Sequence, residues 1–254
     1  MRILLTNDDG IGARGMDVLE RIARSISDDV TIVAPAEEQS GKGRSLTITA
    51  PIRLRQLGER RYAVTGTPTD AVMMALALVM KDAPPDLILS GVNRGANLAE
   101  DTSYSGTVAG AAEGALAGIR SIALSQVYAR HAPGDDVSFA PAEAWGARVL
   151  APLLDAAWAP RTLVNINFPS VAPDEVRGIR VVGQGLRDYG RMRVEHGTDP
   201  RGYGYHWLAM GSGNGAAAPG TDLEAVADGY ISVTPLHLDL THRESLGPLT
   251  ALYG

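Results

Sequence analysis

No cysteine occurs among the 254 residues, which excludes disulfides, thiolate-held zinc and thiol nucleophiles. Histidine is scarce, with five in the chain and none paired at the helical i, i+4 spacing of a metal motif. Any metal here is therefore to be held mainly by oxygen. Long apolar runs are missing too: the longest, Ala71 to Met80, falls well short of the roughly 20 residues that span a membrane. The opening Met1-Arg2-Ile3-Leu4-Leu5 is interrupted by Asp8 and Asp9 before it can form a signal-peptide core, so a cytoplasmic protein is expected. Basic charge is in deficit. A formal charge of -6 and a pI near 5.4 argue against a face that grips a nucleic-acid polymer, although local sites for small anions remain open.

What is present suffices for one substantial core, because 45% of the residues are hydrophobic. Strand-like and helix-like segments alternate over the first two thirds. Arg2 to Thr6 reads as a strand, and Met16, Leu19, Ile22, Ala23 and Ile26 recur at helical spacing before a second apolar run, Val30 to Ala34. A polar loop follows from Glu37 to Ser45, then strand-like pieces at Leu46 to Ile52 and Arg61 to Val64. Thr67-Pro68-Thr69-Asp70 has the pattern of a helix start, with Thr67 as N-cap, Pro68 at the first position and Asp70 bonding back. Leu87 to Ser90 is the next strand, leading into a loop from Gly91 to Tyr104 and a small-residue helix from Ser105 to Ala117. A strand at Ser121 to Ser125, a helix over Pro141 to Ala156 and a strand at Leu163 to Phe168 continue the alternation, which predicts an α/β fold with a doubly wound, mostly parallel sheet. Beyond Val171 the pattern changes. Glycine, arginine and aromatics crowd Gly183 to Gly220, among them Arg187, Tyr189, Arg191, Arg193, Tyr203, Tyr205 and Trp207. Extended hairpins are expected there, forming an arm that packs on a partner subunit. A strand from Gly229 to Pro235 follows.

Thr6-Asn7-Asp8-Asp9-Gly10-Ile11-Gly12 is the stretch that points to chemistry. Two adjacent carboxylates at the carboxyl end of a buried strand lie where open α/β sheets bind ligands. Their desolvation costs several kcal/mol unless a positive partner is supplied. Capping of the next helix accounts for one Asp, not for both. Ser40 in the second loop and Asn93 and Asn97 after Leu87 to Ser90 bring further oxygens to the same edge, a donor set suited to Mg²⁺, Mn²⁺ or Ca²⁺. Taken singly, Ser40 and Asn93 read better as turn residues, and it is their joint appearance behind successive strands that favours a site. Phosphate has its own seat at Ser105-Gly106-Thr107, the start of the small-residue helix, where free amides and the positive dipole end favour an anion. The spacing Gly10-x-Gly12-x-x-Gly15 is not read as a dinucleotide fingerprint, because the preceding carboxylates would face a pyrophosphate.

These motifs, together with Gly66-Thr67-Pro68-Thr69-Asp70, Ser90-Gly91-Val92-Asn93-Arg94-Gly95-Ala96-Asn97, Tyr104-Ser105-Gly106-Thr107-Val108-Ala109, Thr221-Asp222 and Gly229 to Leu236, make the chain resemble the SurE family of metal-dependent 5'-nucleotidases over nearly its whole length. The resemblance implies one divalent ion per subunit on Asp8, Asp9, Ser40 and Asn93, and phosphate contacts from Asn97, Ser105, Gly106 and Thr107. It also implies a Rossmann-like core and a single domain over 1–254, with 183–220 as an arm exchanged in a homodimer or homotetramer. The expected reaction is hydrolysis of nucleoside 5'-monophosphates, with 3'-nucleotides and short polyphosphates as further substrates, and Asp8 or Asp9 as the group that takes a proton from water. Two other readings stand beside it. A haloacid-dehalogenase-like phosphatase would use a nucleophilic Asp in Asp-x-Asp spacing, which adjacent Asp residues disfavour. A non-catalytic, metal-dependent nucleotide sensor would bind the same ligands without releasing phosphate.

Overall fold

The computed structural model describes residues 1–128, 137–187, 192–210 and 217–253. In chain order its strands are β1 (Ile3–Thr6), β2 (Val30–Pro35), β3 (Leu54–Gly58), β4 (Arg61–Val64), β5 (Leu87–Arg94), β6 (Arg120–Gln126), β7 (Thr162–Phe168), β8 (Ile179–Val181), β9 (Met192–Thr198), β10 (Gly204–Met210) and β11 (Ile231–His237). Its helices are α1 (Arg14–Arg24), α2 (Pro68–Met74), α3 (Gly106–Leu116), α4 (Ala140–Asp155), α5 (Asp222–Ala227) and α6 (Leu246–Tyr253). Among the described residues no helix is long and apolar enough to cross a membrane.

Nine strands form one sheet in the order β3-β4-β2-β1-β5-β6-β7-β11-β8. The pairings from β4 through β7 are parallel, as is that of β11 with β8; β3 with β4 and β7 with β11 are antiparallel. The mostly parallel sheet expected from the alternation is therefore present. Alternate residues of each strand face opposite sides. Ile3, Leu5, Ile32, Leu87, Leu89, Ile122 and Ile166 pack with Met16, Leu19 and Ile22 of α1 and with Val149 and Leu150 of α4. Leu4, Val33 and Ile88 pack with Ala71 and Val72 of α2, and Ala123 and Leu163 with Val108, Ala111 and Ala112 of α3. On this second side the strands turn polar toward their carboxyl ends, with Thr6, Ser90, Ser125, Asn165 and Asn167 all buried. The chain leaves β1 toward β2 on one side and returns to β5 on the other. This reversal is the switch point at which such sheets open a crevice for ligands.

Several boundaries differ from expectation. No strand forms over Leu46 to Ile52; the edge strand is β3, farther along. Side chains at the start of α2 take the hydrogen bonds that a strand would have used. Asp70 accepts from the backbone N–H of Thr47 at 3.0 Å and its hydroxyl at 2.6 Å, and the Thr67 hydroxyl donates to the Ser45 carbonyl at 2.8 Å. Ile48 is left 84% exposed, with no burial to drive pairing. The capping box at Thr67 and Asp70 forms as expected, and the helix continues beyond α2 as a π-turn, Ala75–Val79. The expected loop from Gly91 begins later, because β5 runs on through Arg94 with a shift of register against β6 between Ser90 and Asn93. Gly91 makes this possible. Its φ is 140°, and a side chain there would run into the Leu124 carbonyl. The strand expected at Gly229 to Pro235 lies at β11.

The hairpin expected after Gly183 is present as β9 and β10, which form a separate two-stranded sheet. The first residues of that segment stay on the body: Gly183 bridges to Thr221, Gln184 donates to the Ala99 carbonyl at 2.8 Å, and the Gly185 amide donates to Asp222 at 2.8 Å. Tyr203, Tyr205, Trp207 and Leu208 are exposed. The parts of that segment at 188–191, with Tyr189 and Arg191, and at 211–216 lie outside the described residues.

Candidate functional site

The turn after β1 carries Asp8 and Asp9 into the crevice. Asn7 pins this turn by donating to the Gly10 carbonyl at 2.8 Å, and the Ile11 amide donates to the Pro35 carbonyl at 2.8 Å, so that the turn is tied to the end of β2. The second loop is tied in return, since the Gln39 amide donates to the Asp8 carbonyl at 2.7 Å. Neither carboxylate caps α1, whose N-cap is Ala13 with no side-chain bond.

Asp8 is buried. Its carboxylate accepts the Thr107 hydroxyl, and a Cβ on Gly106 would lie 2.7 Å from the Asp8 Cβ, so the first turn of α3 presses directly on this side chain. Burial pushes the Asp8 carboxyl above its ordinary range, against the Thr107 hydroxyl and the backbone amides of Asp8 and Thr107 that favour the ionised form. Asp9 is half-buried and accepts the Arg94 amide at 3.0 Å. Burial first, then the nearby charges of Asp8 and Glu38, push it up to about 6, against that amide and the Arg94 side chain. Two carboxylates sharing a low-dielectric crevice with a third acid beside them create a demand for positive charge.

Among the described residues no three His, Cys, Asp or Glu side chains converge as a metal cluster. A cation at Asp8 and Asp9 must therefore draw on neutral oxygens, the donor set anticipated from sequence. Ser40 lies in the exposed second loop with its hydroxyl donating to Glu38 at 2.9 Å, and it lines the same cleft as Asp9. Asn93, at the end of β5, turns its amide nitrogen to the Gly95 carbonyl at 3.0 Å, and its side-chain oxygen is the atom it can offer a cation. The demand for charge and a hard-oxygen donor set both fit a divalent ion.

The residues expected to contact phosphate lie at and before the start of α3. Ser105 is the N-cap of α3; its oxygen accepts the Val108 amide at 3.0 Å, which leaves the hydroxyl hydrogen to donate elsewhere. At Gly106 it is Asp8 that approaches closely. The Thr107 hydroxyl is already given to Asp8. Asn97 is a brace. Its side-chain nitrogen donates to Ser125 at 2.8 Å, its amide to Asn167 at 2.8 Å, and its carbonyl accepts Asn165 and Asn167 at 2.8 and 3.2 Å. One of that nitrogen's two hydrogens is thereby committed to Ser125, and the other remains to donate.

A cleft of about 540 Å³ opens beside the carboxylates, lined by Asp9, Ala13, Arg14, Gly15, Glu38, Ser40, Arg94, Tyr128, Val137 and Phe139. Sequence reasoning missed Glu38, Arg14, Tyr128 and Phe139 as members of this wall. Glu38 was visible only as one polar residue in a loop. Tyr128 and Phe139 lie far along the chain and reach the cleft through strand order alone.

The family model described as Survival protein SurE matches residues 3–191. A protein from Rhizorhabdus wittichii named 5'-nucleotidase SurE is 69% identical over 253 residues, covering 100% of both chains. Another of that name from Erythrobacter litoralis is 59% identical over 97% of each. The crystal structure of the SurE protein from Aquifex aeolicus is similar with a TM-score of 0.84 at 38% identity, covering 100% of both chains.

Proposed function

This chain belongs to the SurE family, and on that premise we propose that it hydrolyses nucleoside 5'-monophosphates, releasing inorganic phosphate with the help of a divalent ion. The observation that carries the reading is the pair Asp8 and Asp9, held at the switch point of the sheet in an environment that opposes their charge and walled by the first turn of α3. Asp8, Asp9, Ser40 and Asn93 would hold one ion per subunit, Mg²⁺, Mn²⁺ or Ca²⁺. Once bound, such an ion polarises a phosphoryl oxygen and lowers the pKa of a coordinated water.

The rest is the work of the chain's own groups. Thr107 and the Arg94 amide hold the two carboxylates in place. Ser105 has a hydroxyl hydrogen to give a phosphoryl oxygen, and the dipole of α3 favours the negative charge that accumulates there. Gly106 keeps that helix end close to Asp8, and Asn97 keeps the loop before it on the sheet. Either Asp8 or Asp9 accepts the proton of the attacking water. Arg14, Tyr128 and Phe139 give the nucleoside a wall with both charge and ring surface. We further read the chain as a single cytoplasmic domain whose arm, residues 183–220, joins subunits into a dimer or tetramer. The exposed Tyr205 and Trp207 of β10 and Tyr203 just before it support this, and 3'-nucleotides and short polyphosphates enter as additional substrates.

The test is phosphate release from a panel of 5'- and 3'-nucleotides and short polyphosphates, with chelator and then each ion restored. Chelated protein should be inert and regain turnover on restoration. Asp9→Asn should stay folded, release almost no phosphate and lose the rise in unfolding temperature that the ion gives the wild type. Full turnover in chelator, or in Asp9→Asn, overturns the mechanism; saturable nucleotide binding without phosphate release indicates a sensor instead.

A further inference from the structure

The antiparallel register of β9 and β10 sets His196 directly opposite His206. Their rings meet edge to face with centroids 4.7 Å apart, and their Nδ1 atoms are 2.7 Å from one another. Ten residues of sequence separate them, so no ligand spacing is legible in the chain; the hairpin makes the pair. Both side chains are exposed. Strand alternation puts Val194 and Leu208 beside them, with Thr198 and Gly204 beyond, and turns Arg193 and Glu195 to the reverse face. No acid or base of the hairpin strands therefore competes on the histidine face. The register is held from behind and from the end. Tyr205 crosses the space over Gly197, where a Cβ would strike its ring, and Asp199 accepts the amides of Arg201 and Tyr203, each at 2.9 Å.

We propose that His196 and His206 form a second metal site, selective for a late first-row divalent ion of the Cu²⁺ or Ni²⁺ type and chemically distinct from the oxygen site at Asp8 and Asp9. Imidazole nitrogen suits such ions, whereas Mg²⁺ and Ca²⁺ prefer oxygen. With metal-to-nitrogen bonds of about 2.0–2.1 Å, two nitrogens at a right angle on one ion stand about 2.9 Å apart, and at a tetrahedral angle about 3.4 Å. The observed 2.7 Å is the contact of a hydrogen-bonded pair and sits close to both spans; the preference for Cu²⁺ rests on the affinity order of divalent ions at nitrogen ligands, in which Cu²⁺ exceeds Ni²⁺ and Zn²⁺. To hold one ion the rings must part by a few tenths of an ångström and also turn, because in the hydrogen-bonded pair the two nitrogens point at each other and not at a common third atom. In the free pair one Nδ1–H donates to the other Nδ1; on binding, that ring carries its hydrogen on Nε2 instead, exchanged through solvent, so that both Nδ1 lone pairs reach the ion without net loss of a proton. Water completes the coordination.

The experiment uses the untagged full-length chain, stripped of metal and then saturated with Mg²⁺ so that the oxygen site is filled. Titration with Cu²⁺ by calorimetry, and electron paramagnetic resonance at one equivalent, should show a single site with nitrogen hyperfine structure from two imidazoles. His196→Gln and His206→Gln should each weaken binding roughly tenfold or more, while His237→Gln binds as the wild type and Mg²⁺-supported phosphate release is unchanged in all three. Undiminished Cu²⁺ binding in His196→Gln and His206→Gln, or a wild-type spectrum with oxygen ligands only, overturns the proposal. The wild-type spectrum decides the matter even if a variant disturbs the hairpin.

Discussion

Gly106→Ala is the perturbation whose outcome the structure determines most sharply. The added methyl would lie 2.7 Å from the Asp8 Cβ and 2.9 Å from its Oδ2. Carbon atoms rest at about 3.5–4.0 Å, so one side must yield by about 1 Å. Asp8 has little freedom, since its carbonyl accepts the Gln39 amide and the strand behind it is buried. The yielding is therefore shared between the carboxylate and the first turn of α3, the two walls of the site. A misplacement of about 1 Å in a reacting constellation costs on the order of 10²-fold, or about 2.7 kcal/mol of transition-state stabilisation. Overpacking costs about 1–3 kcal/mol of stability, offset by up to about 1 kcal/mol for replacing a helical glycine. The net is about 0–3 kcal/mol, and a chain of this size loses about 2–4 °C per kcal/mol. Gly110→Ala is the control. Its methyl would meet Thr6 Cγ2 at 2.9 Å and Ser90 Oγ at 3.0 Å, as crowded but away from the carboxylate. Steady-state phosphate release at saturating ion, with thermal unfolding of both variants, separates the effects. Gly106→Ala should lose roughly 10²-fold in kcat/KM and Gly110→Ala far less, at similar losses of stability. Wild-type kcat/KM in Gly106→Ala, or an equal loss in Gly110→Ala, refutes the argument.

Two further predictions concern buried acids outside the reaction. Burial opposes the charge on Asp70, but hydrogen bonds from Thr47 and Thr67 outweigh it and hold its carboxyl below the usual range. A native pKa below the unfolded one means that the contribution is present above the ordinary value of about 3.9 and is lost as pH falls through the lowered native value. Urea midpoints measured from about pH 5 downward should fall more steeply for the wild type than for Asp70→Asn, and parallel curves would show that the bonds from Thr47 and Thr67 do not favour the ionised form. Asp222 is fully buried and accepts the amides of Ala99, Gly185 and Leu223, each at 2.8 Å. Asp222→Ala leaves those donors without their acceptor and should cost about 3 kcal/mol or more by urea denaturation; a loss under about 1 kcal/mol would mean that water replaces the carboxylate freely.

What could be read from the chain alone was what short-range rules govern. Apolar runs of four to six residues, helical spacing from Met16 to Ile22, and the cap at Thr67 with Asp70 each depend on neighbours within a turn or two, and each forms where expected. The adjacency of Asp8 and Asp9 at the end of a core strand was equally local, because a strand that must be buried carries whatever follows it to the sheet edge. The segment Leu46 to Ile52 was misread for the complementary reason: its partners are Asp70 and Thr67, side chains of a helix some twenty residues on, and no local pattern announces them. Only the strand order set α3 against β1, and so gave the Thr107 hydroxyl to Asp8. The same order brought Glu38, Tyr128 and Phe139 to one cleft, and the hairpin register joined His196 to His206. Pairings across ten to a hundred residues are chosen by which surfaces can be buried together, a property of the whole sheet that no window of sequence contains.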